Sequence, residues 1–75
     1  MITAMANNTV LDIQWLSFAG GERHVQLPEN TGAFATINIM LRFQNSDDIM
    51  DLMLLVNALR YANPSVVINL TMPYL

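Results

Sequence analysis

The first segment of this chain whose residue types could bind a ligand or take part in catalysis is residues 18–24. It contains Phe18, a Gly20-Gly21 pair, Glu22 and His24. A histidine can act as a general base because imidazole titrates near neutral pH, and Glu22, two residues earlier, would orient it. The simpler interpretation is a solvent-facing strand histidine. Gly20-Gly21 could cradle a phosphate, but no helix N-terminus follows it, so a plain hairpin turn is the alternative.

The second segment is acidic and contains Asp47, Asp48 and Asp51. Carboxylate oxygens are the ligands that Mg²⁺ prefers, so a metal site is one hypothesis. The other is that these residues occupy the first turn of a helix, where the helix dipole favours negative charge. The second hypothesis needs no ligand, and we predict no metal-binding residues. One histidine and no cysteine also exclude the usual structural zinc sets.

Alternating and helical patterns predict the elements that position these residues. Residues 9–18 and 22–27 predict a β-hairpin around Ala19-Gly20-Gly21, and residues 1–8 are expected to be disordered. Residues 33–43 predict a strand with Ala35, Ile37, Ile39, Leu41 and Phe43 on one face. Residues 46–62 predict a helix that ends near residues 61–63, and residues 65–72 predict a buried strand.

The predicted fold class is therefore α/β, an N-terminal β-hairpin followed by a βαβ unit. The two strands of that unit should be parallel and joined by a right-handed crossover. Asn45 or Ser46 should cap the helix, and Arg60 lies near its other end, where positive charge is favoured.

The composition predicts that the folded chain leaves apolar surface exposed for contact with another domain or subunit. Hydrophobic residues make up 53% of the chain and charged residues 12%, against roughly 25% charged in an average domain. The predicted helix is apolar almost all the way round, so we expect the sheet to cover one side and another domain or subunit to cover the other. Met50, Met53, Met72 and Trp15 are expected to fill a core or an interface. Self-association into a homo-oligomer follows as an expectation.

The charges exclude some partners. The net charge is −3, and the only basic side chains are Arg23, Arg42 and Arg60, so a nucleic-acid partner is not expected. The longest aliphatic run, residues 52–56, is far shorter than the ~20 residues that span a bilayer, so no membrane partner is expected either. Without cysteine, and without the features of a signal peptide in residues 1–8, the expected location is cytoplasmic.

Three segments resemble one enzyme family in order and spacing. Residues 46–62, which begin Ser-Asp-Asp-Ile-Met-Asp-Leu-Met, resemble the Asn-Asp-Asn-Leu-Met-Glu-Leu-Leu helix of the ribose-phosphate pyrophosphokinases. Residues 68–75, Ile-Asn-Leu-Thr-Met-Pro-Tyr-Leu, are similar to the family's strand that runs into a Pro-Tyr-aromatic sequence. Residues 18–27, which begin Phe-Ala-Gly-Gly-Glu, resemble its Phe-x-Asp-Gly-Glu hairpin.

The resemblance implies that residues 9–75 are a partial N-terminal domain with a phosphoribosyltransferase-like fold, in a shortened variant. The implied parent reaction transfers pyrophosphate from ATP, with Mg²⁺, to ribose 5-phosphate. By position, Phe18 would stack on the adenine, and Gly20 and Glu22 would approach its edge, often across a subunit boundary. Gly20 stands where the family usually has Asp, so a side-chain contact would be lost there.

The family's catalytic segments have no counterpart in residues 1–75, so no catalytic residue is assigned. Three arginines, no lysine and no Gly-rich phosphate loop before a helix predict that this chain alone is inactive. The competing hypothesis is a non-enzymatic, oligomerising interaction module derived from the same fold. A third hypothesis is a small ligand-binding protein that uses the sheet face around Thr36 and Asn38.

Overall fold

A mixed α/β arrangement of six strands and one α-helix is present in the part of the chain that the structure describes. The computed structural model describes residues 1–73; Tyr74 and Leu75, which belong to the predicted Pro-Tyr segment, lie outside the described residues. In chain order the elements are β1 (Ile2–Ala6), β2 (Thr9–Val10), β3 (Gln14–Ser17), β4 (Arg23–Gln26), a 3₁₀ helix (Glu29–Ala33), β5 (Thr36–Leu41), α1 (Asp47–Ala62) and β6 (Val67–Thr71).

The N-terminal residues form a strand where disorder was expected. β1 pairs antiparallel with both β2 and β5, and its Ala4 and Ala6 are buried. The turn after β1 is made by Asn7 and Asn8, whose φ angles of 53° and 63° are both positive, as a two-residue hairpin turn requires. The expectation of disorder was wrong because this Asn-Asn pair specifies a turn between two strands.

The predicted strand over residues 9–18 is split in two. β2 ends at Val10, and Leu11 turns its side chain into the core while its N–H donates to the Ala4 carbonyl at 2.8 Å. The chain then leaves the sheet and resumes as β3, which pairs antiparallel with β4. The predicted hairpin, with residues 22–27 as its second arm, is therefore present as a separate two-stranded sheet, but its first arm is β3 alone.

The main sheet has the strand order β2-β1-β5-β6. β5 and β6 are parallel, as predicted, and Ile37, Ile39 and Leu41 of β5 are fully buried on one face. β6 is the strand predicted over residues 65–72, but the prediction that this strand is buried was wrong. Because β6 lies at the edge of the sheet, Leu70 is 46% exposed and Met72 is 49% exposed.

Helix α1 packs one side against the sheet and leaves the other open. Leu55 and Leu59 are fully buried, whereas Met50, Met53 and Tyr61 are between 56% and 92% exposed. The side expected to meet the sheet is therefore buried, and the other side, expected to meet another domain or subunit, is exposed within residues 1–73. Met50, Met53 and Met72 are surface residues here, not core. No helix of this part of the chain has the length and apolar character needed to cross a membrane.

The ends of α1 are held by polar side chains that flank it. The Asn45 Oδ1 accepts a hydrogen bond from the Asp47 N–H at 2.9 Å, which confirms Asn45 as a capping residue, and the helix ends at Ala62 as predicted. Beyond it, the buried Asn63 donates from Nδ2 to the carbonyls of Thr31 at 3.2 Å and Phe34 at 2.6 Å. Asn63 thus ties the end of α1 to the segment that enters β5.

Candidate functional site

The candidate site is the β3–β4 hairpin, whose turn is built by two glycines. Gly20 and Gly21 have φ angles of 92° and 81°, a conformation that residues with a Cβ rarely adopt. Below the turn, the Phe18 N–H donates to the Glu22 carbonyl at 2.8 Å, and the Gly21 N–H donates to the Phe18 carbonyl at 3.2 Å. The predicted Ala19-Gly20-Gly21 turn is confirmed, and it sets the register of the whole hairpin.

The outer face of the hairpin tip carries Phe18, Glu22 and His24. The Phe18 ring is 52% exposed and meets the His24 ring edge-on, with 4.9 Å between ring centroids and an interplanar angle of 83°. The His24 Nε2 lies 3.1 Å from the Glu22 Oε1, so Glu22 orients the imidazole as its position two residues away suggested. The structure therefore places the three predicted site residues, Phe18, Gly20 and Glu22, together on one exposed tip. His24 is exposed, as the simpler interpretation held.

The inner face of the hairpin joins it to the rest of the molecule. Trp15 and Val25 are paired across the hairpin and pack, half-buried, against the core. The Arg23 guanidinium lies 5.2 Å from the centre of the Trp15 ring, and its Nη1 is 3.2 Å from the Asp51 Oδ2 on α1. This cation–π contact and ion pair fix the hairpin beside the helix.

Sequence reasoning did not identify the Arg23–Asp51 pair. The turn at Gly20-Gly21 puts Ser17 opposite Arg23 and Trp15 opposite Val25. Diagonal neighbours on one face of a hairpin can touch when their side chains are long, so the contact of Arg23 with Trp15 could have been predicted from the register. The contact with Asp51 depends on how the helix is packed and has no local signal.

Two shallow clefts open on either side of the Arg23–Asp51 pair. The larger, of about 420 Å³, lies between the hairpin and the first half of α1. It is lined by Gly21, Arg23, Asp47, Met50, Asp51 and Leu54. The smaller, of about 300 Å³, lies between the hairpin and the start of β1. It is lined by Met1, Ile2, Trp15, Arg23, Asp48 and Asp51.

The two clefts offer little to bind phosphate. The only basic side chain lining the clefts, Arg23, is already paired with Asp51, and Asp47 would repel an anion. Among residues 1–73 no group of three or more histidine, aspartate or glutamate side chains is arranged to hold a metal ion. The residues that line the clefts therefore do not fit a triphosphate or Mg²⁺.

Asp48 is held by local hydrogen bonds. Its Oδ2 accepts from the backbone N–H groups of Gln44 at 2.6 Å and Asn45 at 3.1 Å, and its Oδ1 lies 3.4 Å from the Met1 amino group. The hydrogen bond from Gln44, followed by that from Asn45, lowers the pKa of Asp48 below its ordinary value of 3.8. Asp48 thus stays ionised and closes the loop before α1.

Comparison of the chain with models of protein families, with curated proteins and with solved structures finds no match.

Proposed function

We propose that this chain is the N-terminal part of a ribose-phosphate diphosphokinase with a phosphoribosyltransferase-like domain, and that its β3–β4 hairpin contacts the adenine of ATP. The observation that carries the proposal is the position of Phe18, Gly20 and Glu22 on one exposed tip. The parent reaction transfers pyrophosphate from Mg-ATP to ribose 5-phosphate. A cytoplasmic location belongs to the proposal and is supported by the absence of cysteine from the sequence.

Each of the three residues offers adenine a different contact. The exposed Phe18 ring, steadied at one edge by His24, provides a stacking surface, and stacking of a base on an aromatic ring contributes about 1–3 kcal/mol. A Cβ added at Gly20 would meet nothing within 4 Å, so there is open space for a ligand to approach the backbone. The Glu22 carboxylate can accept a hydrogen bond from the exocyclic amino group of the base.

The transfer of pyrophosphate itself requires residues other than these. Phosphoryl-type transfer depends on cations that stabilise charge on the phosphate oxygens. Of the three arginines, Arg23 is engaged by Asp51, and the Arg60 Nη1 donates to the Val66 carbonyl at 3.3 Å. Arg42 follows β5 and lines neither cleft beside the hairpin. The proposed role of this chain is to position the base, and we expect the purified chain to release no AMP from ATP and ribose 5-phosphate.

Backbone NMR of the isotopically labelled chain, titrated with ATP, tests the contact. We expect the amide signals of residues 18–22 to shift with a Kd of about 1 mM, which corresponds to about 4 kcal/mol from the stacked base and the hydrogen bond to Glu22 together. Phe18→Ala should abolish these shifts. Phe43→Ala is the matched control, because Phe43 is a similarly exposed phenylalanine that lies after β5, and this variant should bind as the parent chain does.

Two results would reject this assignment. The first is an absence of shifts in residues 18–22 at ~10 mM ATP, about tenfold above the expected Kd. The second is a set of shifts that Phe18→Ala leaves unchanged. Ribose 5-phosphate alone should cause no shift at the hairpin, because it has no base to stack there.

The second candidate function is a non-enzymatic, oligomerising module. It is favoured by the apolar side of α1 formed by Ile49, Met50, Met53 and Tyr61, which is exposed to solvent in the described chain. A module of this kind would self-associate and would give no response to ATP. The titration with ATP therefore separates the two functions, because self-association is expected of both.

A further inference from the structure

Apart from the chain itself, side chains alone hold the β3–β4 hairpin to the rest of the molecule. The hairpin forms its own two-stranded sheet, and within residues 1–73 no backbone hydrogen bond joins it to the four-stranded sheet. It packs beside α1 on the face where Ile37 and Ile39 are buried, whereas the other face, with Met5 and Met40 exposed, is left open. A two-stranded hairpin is at best marginally stable by itself in water, so this one depends on its contacts with other elements.

These contacts differ along the length of the hairpin. Far from the turn, Trp15 and Val25 are paired and pack against the core. Ser17 and Arg23 form the next pair on the same face, one step closer to the turn, because strand side chains alternate between faces. Ser17 is exposed, whereas Arg23 reaches Asp51 on α1. Among residues 1–73 this is the only ion pair between the hairpin and the helix, and it anchors the end that carries the tip.

Asp51 is placed so that it holds Arg23 in one position. The Asp51 side chain is 14% exposed and that of Arg23 is 38% exposed, so the pair is partly shielded from water. The Trp15 ring lies 5.2 Å from the guanidinium and provides a second contact. Because a guanidinium is planar and donates in fixed directions, the ring and the carboxylate together define where Arg23 lies.

The position of Arg23 affects the tip because the turn begins at the next residue. Glu22 directly precedes Arg23, and its carbonyl accepts the Phe18 N–H at 2.8 Å. One strand residue spans about 3.3 Å, so the adenine contacts proposed above lie only about one residue beyond the ion pair. Without that pair, the tip keeps only the pairing of the two strands, over four residue pairs, to hold Phe18 and Glu22 together.

We propose that Asp51 is a positioning residue for the nucleotide contact, because through Arg23 it holds the hairpin tip in the arrangement that binds adenine. The proposal rests on the proposed function and adds to it a residue of α1 that does not touch the base. An ion pair near the surface shifts an equilibrium by up to about fivefold, and the apparent Kd rises as the binding-competent fraction falls. We therefore expect ATP binding to weaken about threefold when the Asp51 carboxylate is removed.

Asp51→Ala tests this in the ATP titration followed by the amide signals of residues 18–22. Asp47→Ala is the matched control, because Asp47 lies on the same helix and lines the same cleft, but takes part in no ion pair described within residues 1–73. Each substitution removes one negative charge, which by itself favours an anion such as ATP. We expect Asp51→Ala to weaken ATP binding and Asp47→Ala to leave it unchanged or tighter, a difference that charge alone does not produce.

Two further measurements separate positioning from a general loss of stability. The exchanged pair, Arg23→Asp with Asp51→Arg, restores opposite charges and should recover most of the affinity that Asp51→Ala loses. Without ATP, amide hydrogen exchange in residues 14–26 should be faster in Asp51→Ala than in the parent chain, while exchange in β5 stays the same. Arg23→Gln replaces Asp51→Ala in both measurements if that variant does not fold.

The possible failures are distinguishable. If the parent chain and Asp51→Ala bind ATP with equal affinity, the positioning role is rejected and the contact with adenine stands. If Asp47→Ala weakens binding as much as Asp51→Ala does, the effect does not pass through Arg23 and the positioning role is likewise rejected. If the parent chain shows no shifts in residues 18–22, the contact with ATP is rejected and the role of Asp51 with it.

Discussion

Leu55→Ala is the sharpest test of how α1 is packed. Leu55 is fully buried and belongs to the core with Ile37 and Ile39 of β5. Truncation to alanine removes its contacts with these residues and leaves a cavity, because a packed core relaxes only partly around a missing side chain. Alanine is an excellent helix former, so the helix itself is not weakened by this change.

The expected loss of stability is large for so small a chain. A fully buried leucine replaced by alanine costs about 2–5 kcal/mol, and we take about 3 kcal/mol for Leu55. A chain of 75 residues is expected to have a total stability of roughly 4–11 kcal/mol. In a domain of this size each kcal/mol corresponds to about 4–8 °C, so the Tm should fall by about 12–24 °C. Leu55→Asp, which also buries a charge, should leave the chain unfolded.

Thermal unfolding followed by circular dichroism measures this change. Met53→Ala is the matched control, because Met53 lies two residues away on α1 and is 56% exposed. Its stability should change by no more than about 0.5 kcal/mol. If Met53→Ala proved as damaging as Leu55→Ala, then the outer side of the helix would be covered in solution and the orientation of α1 argued above would be wrong.

Three further predictions concern polar contacts. Arg23→Ala should cost less than about 1 kcal/mol, because its ion pair is near the surface, but it should make the single tryptophan, Trp15, more accessible to acrylamide quenching of fluorescence. Because the pKa of Asp48 is lowered by folding, its contribution to stability is present above its ordinary value of 3.8 and is lost as the pH falls through the lower folded value. Asp48→Asn should therefore flatten the acid side of the stability profile measured by urea unfolding. Asn63→Ala leaves two carbonyls without their side-chain donor and should cost about 2 kcal/mol in the same assay, whereas Asn57→Ala, at an exposed position of α1, should cost far less.

Local patterns in the sequence were sufficient to predict several elements of the fold. The glycine pair at 20–21 specified the hairpin turn, and strict alternation predicted which side chains of β5 are buried. Asn45 was one of the two predicted capping residues, and α1 ends within the predicted range of residues 61–63. Each of these features depends on interactions between residues that are close together in the chain. These features can therefore be predicted from the amino-acid types alone.

The errors concern residues whose surroundings come from distant parts of the chain. The disorder expected for residues 1–8 ignored the Asn7-Asn8 turn signal, but even with that turn, nothing local would have paired β1 with β5. The burial predicted for residues 65–72 followed from their apolar side chains, whereas β6 is at an edge of the sheet, a position that its own sequence does not specify.

The candidate site shows the same division. That Phe18, Gly20 and Glu22 share one tip follows from the turn they flank, and the sequence by itself determined this, together with the helix and the parallel strand pair. Only the tertiary structure decided that Arg23 reaches Asp51 and that one face of the sheet is left open. The physical reason is that turns, caps and alternation are encoded within a few residues, while the neighbours of a surface are set by how whole elements pack.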